Sequence, residues 1–473
     1  MSAAASPSPS ASGPEPVDLL VSAGFLYPMT GDGTEVVRDA EVAVRDGRIV
    51  FAGPARPAGT WAPAERIGGP GLALAPGFVN AHCHTASTVF RGQFDDGIGQ
   101  KGLYTISFRG ESLVAPDDWS ALAALGVAEM IRAGYTTLND FWYCPDAMGE
   151  LALATGLRMQ LSCEIFDVEK PRLADGDYTR FPDIGAARLA EGVRVAGTWH
   201  GRGDGLVTAR IGPHAADTCS AGLMREATAE ARRLGVGLHC HVAQSPQEAA
   251  QVRAEQGMGP AEWLADLGVL GPDWVLAHLT RASERDLDAV AETGAGYAHC
   301  STIYPRRGFY PDLAGIRARG IRTGLGSDWM MNDPFEGMRG AMAALRLREG
   351  RAEALSSAEA LGLATAGAAE ALGIGEAVGR IEPGREADMI LIDLDAAHMQ
   401  PFYGEPASLA WYARASDVRH SIVRGRLVMR DREVAGIDLD AALGAVRGRT
   451  AGLAALIRSL GGSHRLGCPC GGC

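Results

Sequence analysis

The stretch PGFVNAHCH, residues 76–84, predicts the centre of the fold. An apolar strand runs through it, and His82 and His84 stand two residues apart at the end of that strand. Side chains at positions i and i+2 of a strand point to the same face, so both imidazoles face one point. Two neutral imidazoles at this spacing suit zinc or another first-row divalent ion. By itself the pattern is weak evidence for a metal site, because a histidine pair at this spacing has a structural role at least as often as it binds a metal.

Later strand-like runs end in the same kinds of residue. These runs are VGLHCHVAQ (236–244) with His239 and His241, WVLAHLT (274–280) with His278, and RTGLGSDW (322–329) with Asp328. The C-terminal ends of barrel strands are where barrel enzymes build their sites. The chain has only 11 histidines in 473 residues, and five of them lie at predicted strand ends. Chance is a poor explanation for this placement.

The alternation of short apolar runs with helical stretches predicts an α/β fold, a (β/α)₈ TIM-type barrel. Strand-like, turn-rich sequence before and after it predicts a small β-sandwich domain built from both ends of the chain. The predicted segments are a disordered leader at 1–16, the N-terminal portion of the β-sandwich at 17–74, the barrel at 75–385, the C-terminal portion of the β-sandwich at 386–436, and a C-terminal helix with a Gly/Cys-rich tail at 437–473.

Composition excludes several classes of protein. The net charge of -13 argues against a nucleic-acid partner, and no apolar run is long enough to span a bilayer. The leader has neither a basic start nor an apolar core, so it does not resemble a secretory signal. Six of the nine cysteines are scattered, which favours reduced thiols in a cytoplasm. Cys468, Cys470 and Cys473 cluster in the tail, either as a metal or redox clip or as exposed thiols.

The ordered motifs resemble the amidohydrolase superfamily. They are most similar to its aminohydrolase and chlorohydrolase-like branch, which includes cytosine, guanine and S-adenosylhomocysteine deaminases and triazine hydrolases. The matching pieces are PGFVNAHCHTASTVFRG (76–92), GPHAADTCS (212–220), HCHVAQSPQE (239–248), AHLT (277–280), GLGSD (324–328) and GRIEPGREADMILID (379–393). The resemblance covers about residues 18–435, so it extends over both predicted domains.

The resemblance implies a role for each strand-end residue. It makes His82, His84, His241 and Asp328 the metal ligands. Asp328 would also accept a proton from the metal-bound water, and His278 would orient that water or stabilise charge on the substrate. By geometry alone His239 could replace His241. We prefer His241 because the family's glutamate lies three residues after its ligand.

Position 244 departs from the family, because it holds Gln244 instead of that glutamate. A glutamine forms hydrogen bonds but does not titrate, so it cannot shuttle a proton. Three explanations compete: Asp328 and His278 handle all proton transfers, the substrate needs less acid help, or the protein is a weak enzyme or a binder. Glu164, at the end of the third strand-like run, could replace the missing acid.

Further substrate contacts are expected after the strand ends. His214 lies in GPHAADTCS, which matches a family loop that touches substrate. Trp142 and Trp329 are candidates to stack on a flat heterocycle, although core packing would explain each equally well. Arg306 or Arg307 could meet an anionic group or could simply face solvent. The remaining candidates are Gln93, Tyr104, Tyr143, Asn332 and Asp333.

The sequence therefore predicts a metal-dependent hydrolase, first of all a hydrolytic deaminase of a purine, pyrimidine, pterin or triazine-like ring. Hydrolysis of a halide, thioether or ring amide on the same fold is the alternative, and a non-catalytic metal-containing binder is a second. The expected cofactor is one divalent metal ion, zinc first, with iron or manganese as alternatives. The expected partner is a small heterocyclic substrate, without nucleic acid or membrane, and the resemblance implies a homo-oligomer.

Overall fold

Strands occur at both ends of the chain and alternate with helices between them. The structure is a computed structural model that describes residues 13–92 and 102–460. The strands in those residues are β1 (Glu15–Leu26), β2 (Val37–Arg45), β3 (Arg48–Pro54), β4 (Trp61–Pro76), β5 (Phe78–Cys83), β6 (Tyr135–Phe141), β7 (Arg158–Ser162), β8 (Glu164–Ile165), β9 (Val207–Pro213), β10 (Gly237–Val242), β11 (Trp274–His278), β12 (Gly296–His299), β13 (Thr323–Leu325), β14 (Met389–Asp393), β15 (Val418–Val423), β16 (Arg426–Arg430) and β17 (Glu433–Val434).

Helices follow most strands of the central region. The α-helices of the described residues are α1 (Phe108–Glu111), α2 (Pro116–Arg132), α3 (Pro145–Thr155), α4 (Pro182–Trp199), α5 (Arg202–Gly205), α6 (Ala221–Leu234), α7 (Pro246–Gln256), α8 (Pro260–Asp266), α9 (Glu284–Thr293), α10 (Ile303–Arg306), α11 (Leu313–Ala318), α12 (Pro334–Glu349), α13 (Ser357–Ala364), α14 (Ala366–Ala371), α15 (Pro406–Tyr412) and α16 (Leu439–Ser459). None of them is long and apolar enough to cross a bilayer.

Eight parallel strands form the barrel. Their order is β13-β12-β11-β10-β9-β7-β6-β5, and β8 extends the third barrel strand by pairing with β9. A bridge between Cys83 and Asp328 joins the two ends of the sheet. Every residue of β5, β6 and β7 is buried, as parallel strands are when helices cover the outer face. The predicted barrel is confirmed.

The second sheet combines both ends of the chain. Its order is β17-β16-β15-β14-β4-β1-β2-β3, and β14 pairs antiparallel with β4 through Met389 and Pro76. The prediction of a small β domain from both ends is confirmed. Strand β1 begins at Glu15, within the segment predicted as leader, because Glu15 and Pro16 already pair with Trp61 and Ala62.

A buried ion-pair cluster joins the β domain to the barrel. Arg158 of β7 donates through Nε to Asp388 at 3.0 Å and through a terminal nitrogen to Glu386 at 2.5 Å. Both carboxylates directly precede β14, and the Arg158 and Asp388 side chains are only 10% and 2% exposed. The cluster therefore fixes the N-terminal end of the barrel against the β domain.

The C-terminal region forms a helix, α16, and the scattered cysteines lie inside the molecule. Helix α16 packs on α2 through an ion pair between Arg449 and Asp118. The six scattered cysteines are free and buried, so no disulfide occurs in the part of the chain that the structure describes. The cysteine-rich tail lies outside the described residues.

Candidate metal-dependent active site

Five side chains meet at the C-terminal rim of the barrel. Strands β5, β10 and β11 bring in His82, His84, His241 and His278, and the turn after β13 brings in Asp328. All five are at most 5% exposed. The structure thus brings together every residue that the sequence predicts as a metal ligand or as the histidine beside the metal.

Three of the separations among four donor atoms match the edges of a tetrahedral cation site. Oδ1 of Asp328 lies 3.5 Å from Nε2 of His82 and 3.4 Å from Nε2 of His84. Nε2 of His241 lies 3.3 Å from Nε2 of His84. Ligands that bind zinc at about 2.0–2.2 Å in a tetrahedron lie about 3.3–3.6 Å from one another. These three separations are therefore those that a shared cation would require. The donor atoms form two overlapping triads, one of His82, His84 and His241 and one of His82, His278 and Asp328.

The hydrogen bonds of two histidines give an independent test of this fit. Nδ1 of His84 lies 2.5 Å from the Phe141 carbonyl, and Nδ1 of His241 lies 2.8 Å from the His214 carbonyl. A carbonyl only accepts, so each Nδ1 carries the proton and each Nε2 of the neutral ring carries a lone pair. Two lone pairs facing each other repel unless a cation lies between them. Nε2 of His82 also has no hydrogen-bond partner among the described residues.

The protonation states also suit a cation. Burial lowers the pKa of His84 and of His241 well below the usual range, so both rings are neutral at pH 7. Burial lowers the pKa of His278 to about 3. Burial alone would raise the pKa of Asp328, but the neighbouring rings of His278 and His82 hold it below its usual range. The site therefore combines neutral imidazoles with an ionised carboxylate.

Backbone strain concentrates at this rim. His278 and Asp328 have φ angles of 87° and 54°, and Ala243, beside Gln244, has a φ of 52°. These are left-handed conformations that residues other than glycine seldom adopt and that persist where the surroundings enforce them. Glu248 enforces one of them, because its carboxylate accepts from the backbone nitrogens of Ala243 at 2.9 Å and Gln244 at 2.6 Å.

His239 lies behind the donor set. Its Nε2 is 2.9 Å from Nδ1 of His82, and its ring stacks on Phe141 with centroids 4.8 Å apart. His239 does not line the rim cavity, whereas His241 does. This arrangement favours His241 as the ligand and leaves His239 to orient His82.

A small cavity adjoins the donor atoms. Its volume is about 10 Å³, the space of roughly one water molecule. The side chains around it include most of the predicted site: His84, Leu103, Phe108, Glu111, Trp142, Glu164, His214, His241, Gln244, His278, Arg307, Asp328 and Trp329. Because the space holds about one water molecule, a larger ligand enters only when some of these side chains move.

Two hydrogen-bond donors of this cavity lack a partner among the described residues. They are Nε2 of Gln244 and Nε1 of Trp142, and both atoms are buried. A buried donor without an acceptor costs about 1–3 kcal/mol, so a partner supplied from outside the protein would be favoured. Both donors thus suit a ligand with acceptor atoms, such as a ring nitrogen.

His214 contributes in two ways. Its carbonyl holds His241, and its Nε2 lies 3.8 Å from Oε1 of Glu164. Its Nδ1 is 2.9 Å from the hydroxyl of Thr218. Burial lowers the pKa of His214, with a smaller effect of Lys170 in the same direction, so the ring is neutral. His214 and Glu164 therefore line the cavity side by side, as both were expected to do.

Other predicted contacts lie elsewhere. Arg307, rather than Arg306, lines the cavity, with Cζ 5.5 Å from the Trp329 ring centroid, because the chain turns inward after the single turn of α10.

Four further residues expected at the substrate lie outside the rim cavity. Tyr143 lines a neighbouring cavity, Tyr104 contacts Ser245, Asn332 contacts Glu129 and Asp333 caps α12. Gln93 lies outside the described residues.

Glu111 and Lys170 lie at the site although the sequence patterns do not mark them. Both are buried beside Glu164, and the Lys170 ammonium lies 2.6 Å from an oxygen of each carboxylate. Lys170 lies in the short helical turn Lys170–Asp175 and Glu111 ends α1, so neither follows a strand end. A search for site residues after strand ends therefore does not find them, and neither residue belongs to a recognisable motif.

A model of the Amidohydrolase family matches residues 73–428. The chain belongs to the amidohydrolase family. A 5-methylthioadenosine/S-adenosylhomocysteine deaminase of Symbiobacterium thermophilum is 33% identical over 422 residues, which are 87% of this chain and 94% of that relative. The predicted superfamily and hydrolase class are thereby confirmed.

Solved amidohydrolase structures share the fold. An adenosine deaminase from Xanthomonas campestris with bound zinc is 28% identical, with a TM-score of 0.83 over 94% of this chain and 100% of that chain. An atrazine chlorohydrolase from Arthrobacter aurescens TC1, complexed with zinc, is 22% identical, with a TM-score of 0.79 over 93% of this chain and 100% of that chain.

Proposed function

We propose that this amidohydrolase is a metal-dependent hydrolytic deaminase of an aminated nitrogen heterocycle, and that an adenine nucleoside is its first candidate substrate. The observation that carries the proposal is the close approach of donor atoms of His82, His84, His241 and Asp328, at 3.3–3.5 Å in three pairs, beside a cavity with two unpartnered donors. The substrates in the names of the two deaminases support the choice of adenine.

The donor set suits one divalent cation, and zinc is the first candidate. Three imidazoles and a carboxylate also accept iron or manganese. The zinc in the two related crystal structures supports the choice. When bound, such a cation would supply a water molecule whose pKa is lowered towards about 7.

The chain's own residues divide the remaining work. Asp328, ionised at neutral pH, accepts the proton of the attacking water. Neutral His278 lies beside it and orients that water. Trp142 and Trp329 flank the cavity and offer flat faces to a heterocycle. Gln244 donates a hydrogen bond through its amide to a ring nitrogen and transfers no proton.

Ammonia release from a substrate panel tests the proposal. The metal-loaded protein is assayed with adenosine, 5-methylthioadenosine, S-adenosylhomocysteine, guanine, cytosine, a pterin and an aminotriazine. We expect release of ammonia from an adenine nucleoside, loss of that activity after chelation, and its return with zinc. D328N should lower turnover by at least about 10²-fold, because it removes the proton acceptor. The matched variant D175N changes an aspartate that is 73% exposed and should leave turnover intact.

Gln244 supports a second candidate reaction. A group that departs without protonation, such as halide or thiolate, makes a titrating residue at position 244 less necessary. Release of chloride from a chlorinated purine or triazine, with no ammonia from any amine in the panel, would replace the deaminase by this hydrolase.

Absence of any product would favour the third alternative. A protein that holds its metal and binds a heterocycle without turnover would be a binder. The expectations of a cytoplasmic location and of a homo-oligomer stay predictions, and size-exclusion chromatography with light scattering tests the latter.

A further inference from the structure

A buried cluster of two carboxylates and one ammonium separates the rim cavity from a larger one. The acid cluster consists of Ser107, Glu111, Tyr143, Glu164 and Lys170. Nζ of Lys170 lies 2.6 Å from Oε2 of Glu111, 2.6 Å from Oε2 of Glu164 and 2.7 Å from the Tyr143 hydroxyl. The charged side chains of the cluster are at most 3% exposed. With both carboxylates ionised, the cluster would hold an uncompensated negative charge in a dry environment.

The hydrogen bonds indicate which carboxyl group holds the extra proton. Glu111 accepts from Ser107 at 2.5 Å, from Tyr143 at 2.9 Å and from Lys170. Glu164 accepts from Lys170 and is also within reach of the Tyr143 hydroxyl, but it has no donor that corresponds to Ser107. More donors stabilise the ionised form, so Glu164, which has fewer of them, is the carboxyl group to which we assign the proton. Burial raises the pKa of Glu164, and Lys170 opposes this effect while Glu111 adds to it.

Glu164 and Glu111 both line the cavity of about 10 Å³, together with Gln244, Asp328 and His278. Of the two, Glu164 also faces His214, whose Nε2 lies 3.8 Å from its Oε1. On the other side of the cluster, Glu111, Lys170 and Tyr143 line a cavity of about 810 Å³. The acid cluster is thus in contact with both spaces and provides a route for proton exchange.

We propose that protonated Glu164 is the catalytic acid of this enzyme, taking the proton-donating role that Gln244 cannot perform, and that Lys170 positions it. The inference rests on the proposed deaminase function. In this inference the proton comes from a neutral carboxylic acid that lines the rim cavity, and not from the side chain at position 244.

The protons balance in the following way. A carbon–oxygen bond forms between water and the aminated ring carbon, and the bond from that carbon to the exocyclic amine breaks. The proton of Glu164 goes to the departing amine, which leaves as ammonia. The first proton of the water goes to Asp328 and from there to the adjacent ring nitrogen. The second, on the hydroxyl of the adduct, returns to Glu164 as the carbonyl forms, and no redox change occurs.

E164Q tests the role of the acid, because glutamine keeps the shape and the hydrogen bond to Lys170 but has no proton to transfer. We expect kcat for the aminated substrate to fall by about 10²–10⁴-fold with KM and metal content little changed. Turnover of the matching chlorinated heterocycle should fall much less, since chloride departs without protonation. E191Q is the control, since Glu191 is 43% exposed and pairs with Arg194. Equal losses for both substrates would indicate a structural role and overturn the proposal.

Rescue and pH profiles add readouts that a structural role would not move. Q244E places a carboxyl group in the same cavity and should restore at least about tenfold of the turnover lost in E164Q.

Turnover by the native protein should fall as pH rises through the pKa of Glu164, since the acid must be protonated. Removing the Lys170 cation in K170Q raises that pKa further, so the alkaline limb should move to higher pH, whereas K170R should restore it. Glu111, Tyr143 and His214 are the other titratable groups that face Glu164.

Infrared spectroscopy separates this inference from the proposed function. Burial also raises the pKa of Glu248, so the spectra are compared as differences. At pH 7 the difference between the native metal-loaded protein and E164Q should contain a carboxylic-acid carbonyl band, and the difference between the native protein and E191Q should contain none. If the native protein deaminates its substrate but E164Q is equally active or the band is absent, the inference fails and the deaminase stands. If no substrate in the panel reacts, the deaminase fails, and the band alone decides whether Glu164 is protonated.

Discussion

His239 and His241 illustrate how much one residue decides. They lie two positions apart on β10, so strand periodicity sends both side chains to the same face. In the fold, His241 faces His84 across 3.3 Å, whereas His239 contacts Nδ1 of His82 from behind. One position therefore contacts the cation site directly and the other acts through a neighbouring ring.

H241N and H239N should separate these two roles. We expect H241N to weaken zinc binding by well over 100-fold, because one of four donors is lost. H239N should weaken binding by about 10–100-fold, as removal of a partner of a ligand typically does. Competition with a chromophoric chelator measures both affinities. A larger loss in H239N than in H241N would exchange the assignments.

At the scale of elements, β12 holds the end of β11. The Tyr297 hydroxyl of β12 lies 3.0 Å from the His278 carbonyl and 2.9 Å from Nδ1 of His299. The Tyr304 hydroxyl reaches the same His278 carbonyl at 3.3 Å. Because His278 has a φ of 87°, these hydrogen bonds help to keep a backbone conformation that is unfavourable by itself.

Y297F removes one of these hydroxyls and little else. We expect a loss of about 1–3 kcal/mol in the free energy of unfolding, because a buried carbonyl and a ring nitrogen each lose a partner. The value of kcat should fall more than KM rises, because His278 is displaced from its position beside Asp328. Y310F is the matched control: Tyr310 contacts the other nitrogen of His299 at 2.7 Å, one residue farther from His278. Urea denaturation and steady-state kinetics measure the two effects. An equal fall in kcat for both variants would contradict the assignment.

At the scale of the molecule, the barrel and the β domain are linked by charge as well as by apolar packing. Arg158 lies between Glu386 and Asp388, and the Asp388 carboxylate also accepts from the backbone nitrogen of Arg424 at 2.8 Å. Removing one member of a buried ion pair leaves the other charged and without its partner.

R158A should therefore lower the free energy of unfolding by about 3–5 kcal/mol. R45A, which breaks a pair with Glu15 whose partners are 37% and 48% exposed, should cost at most about 1 kcal/mol. Guanidinium denaturation followed by circular dichroism measures both. Similar midpoints for the two variants would mean that the link between the domains adds no stability.

Sequence and structure agree on the features that are local in the chain. Two-residue periodicity placed His82 and His84 on one face, and the alternation of strands with helices predicted the barrel. The order of the motifs identified the family, because each motif is a strand end whose chemistry can be recognised from a few adjacent residues. Gln244 stood out for the same reason, since it lies three positions after a histidine.

What only the tertiary structure decided are the contacts between residues far apart in the chain. Glu111 and Lys170 are in contact although 59 positions separate them in the sequence, and Arg158 contacts Asp388 across 230 positions. The inward turn of Arg307 in place of Arg306 likewise depends on where α10 ends against Trp329. Hydrophobic periodicity encodes which face of an element is buried but not what lies opposite. The distances between the donor atoms and the contacts of Glu164 therefore required the folded chain, because each depends on groups brought in by separate elements.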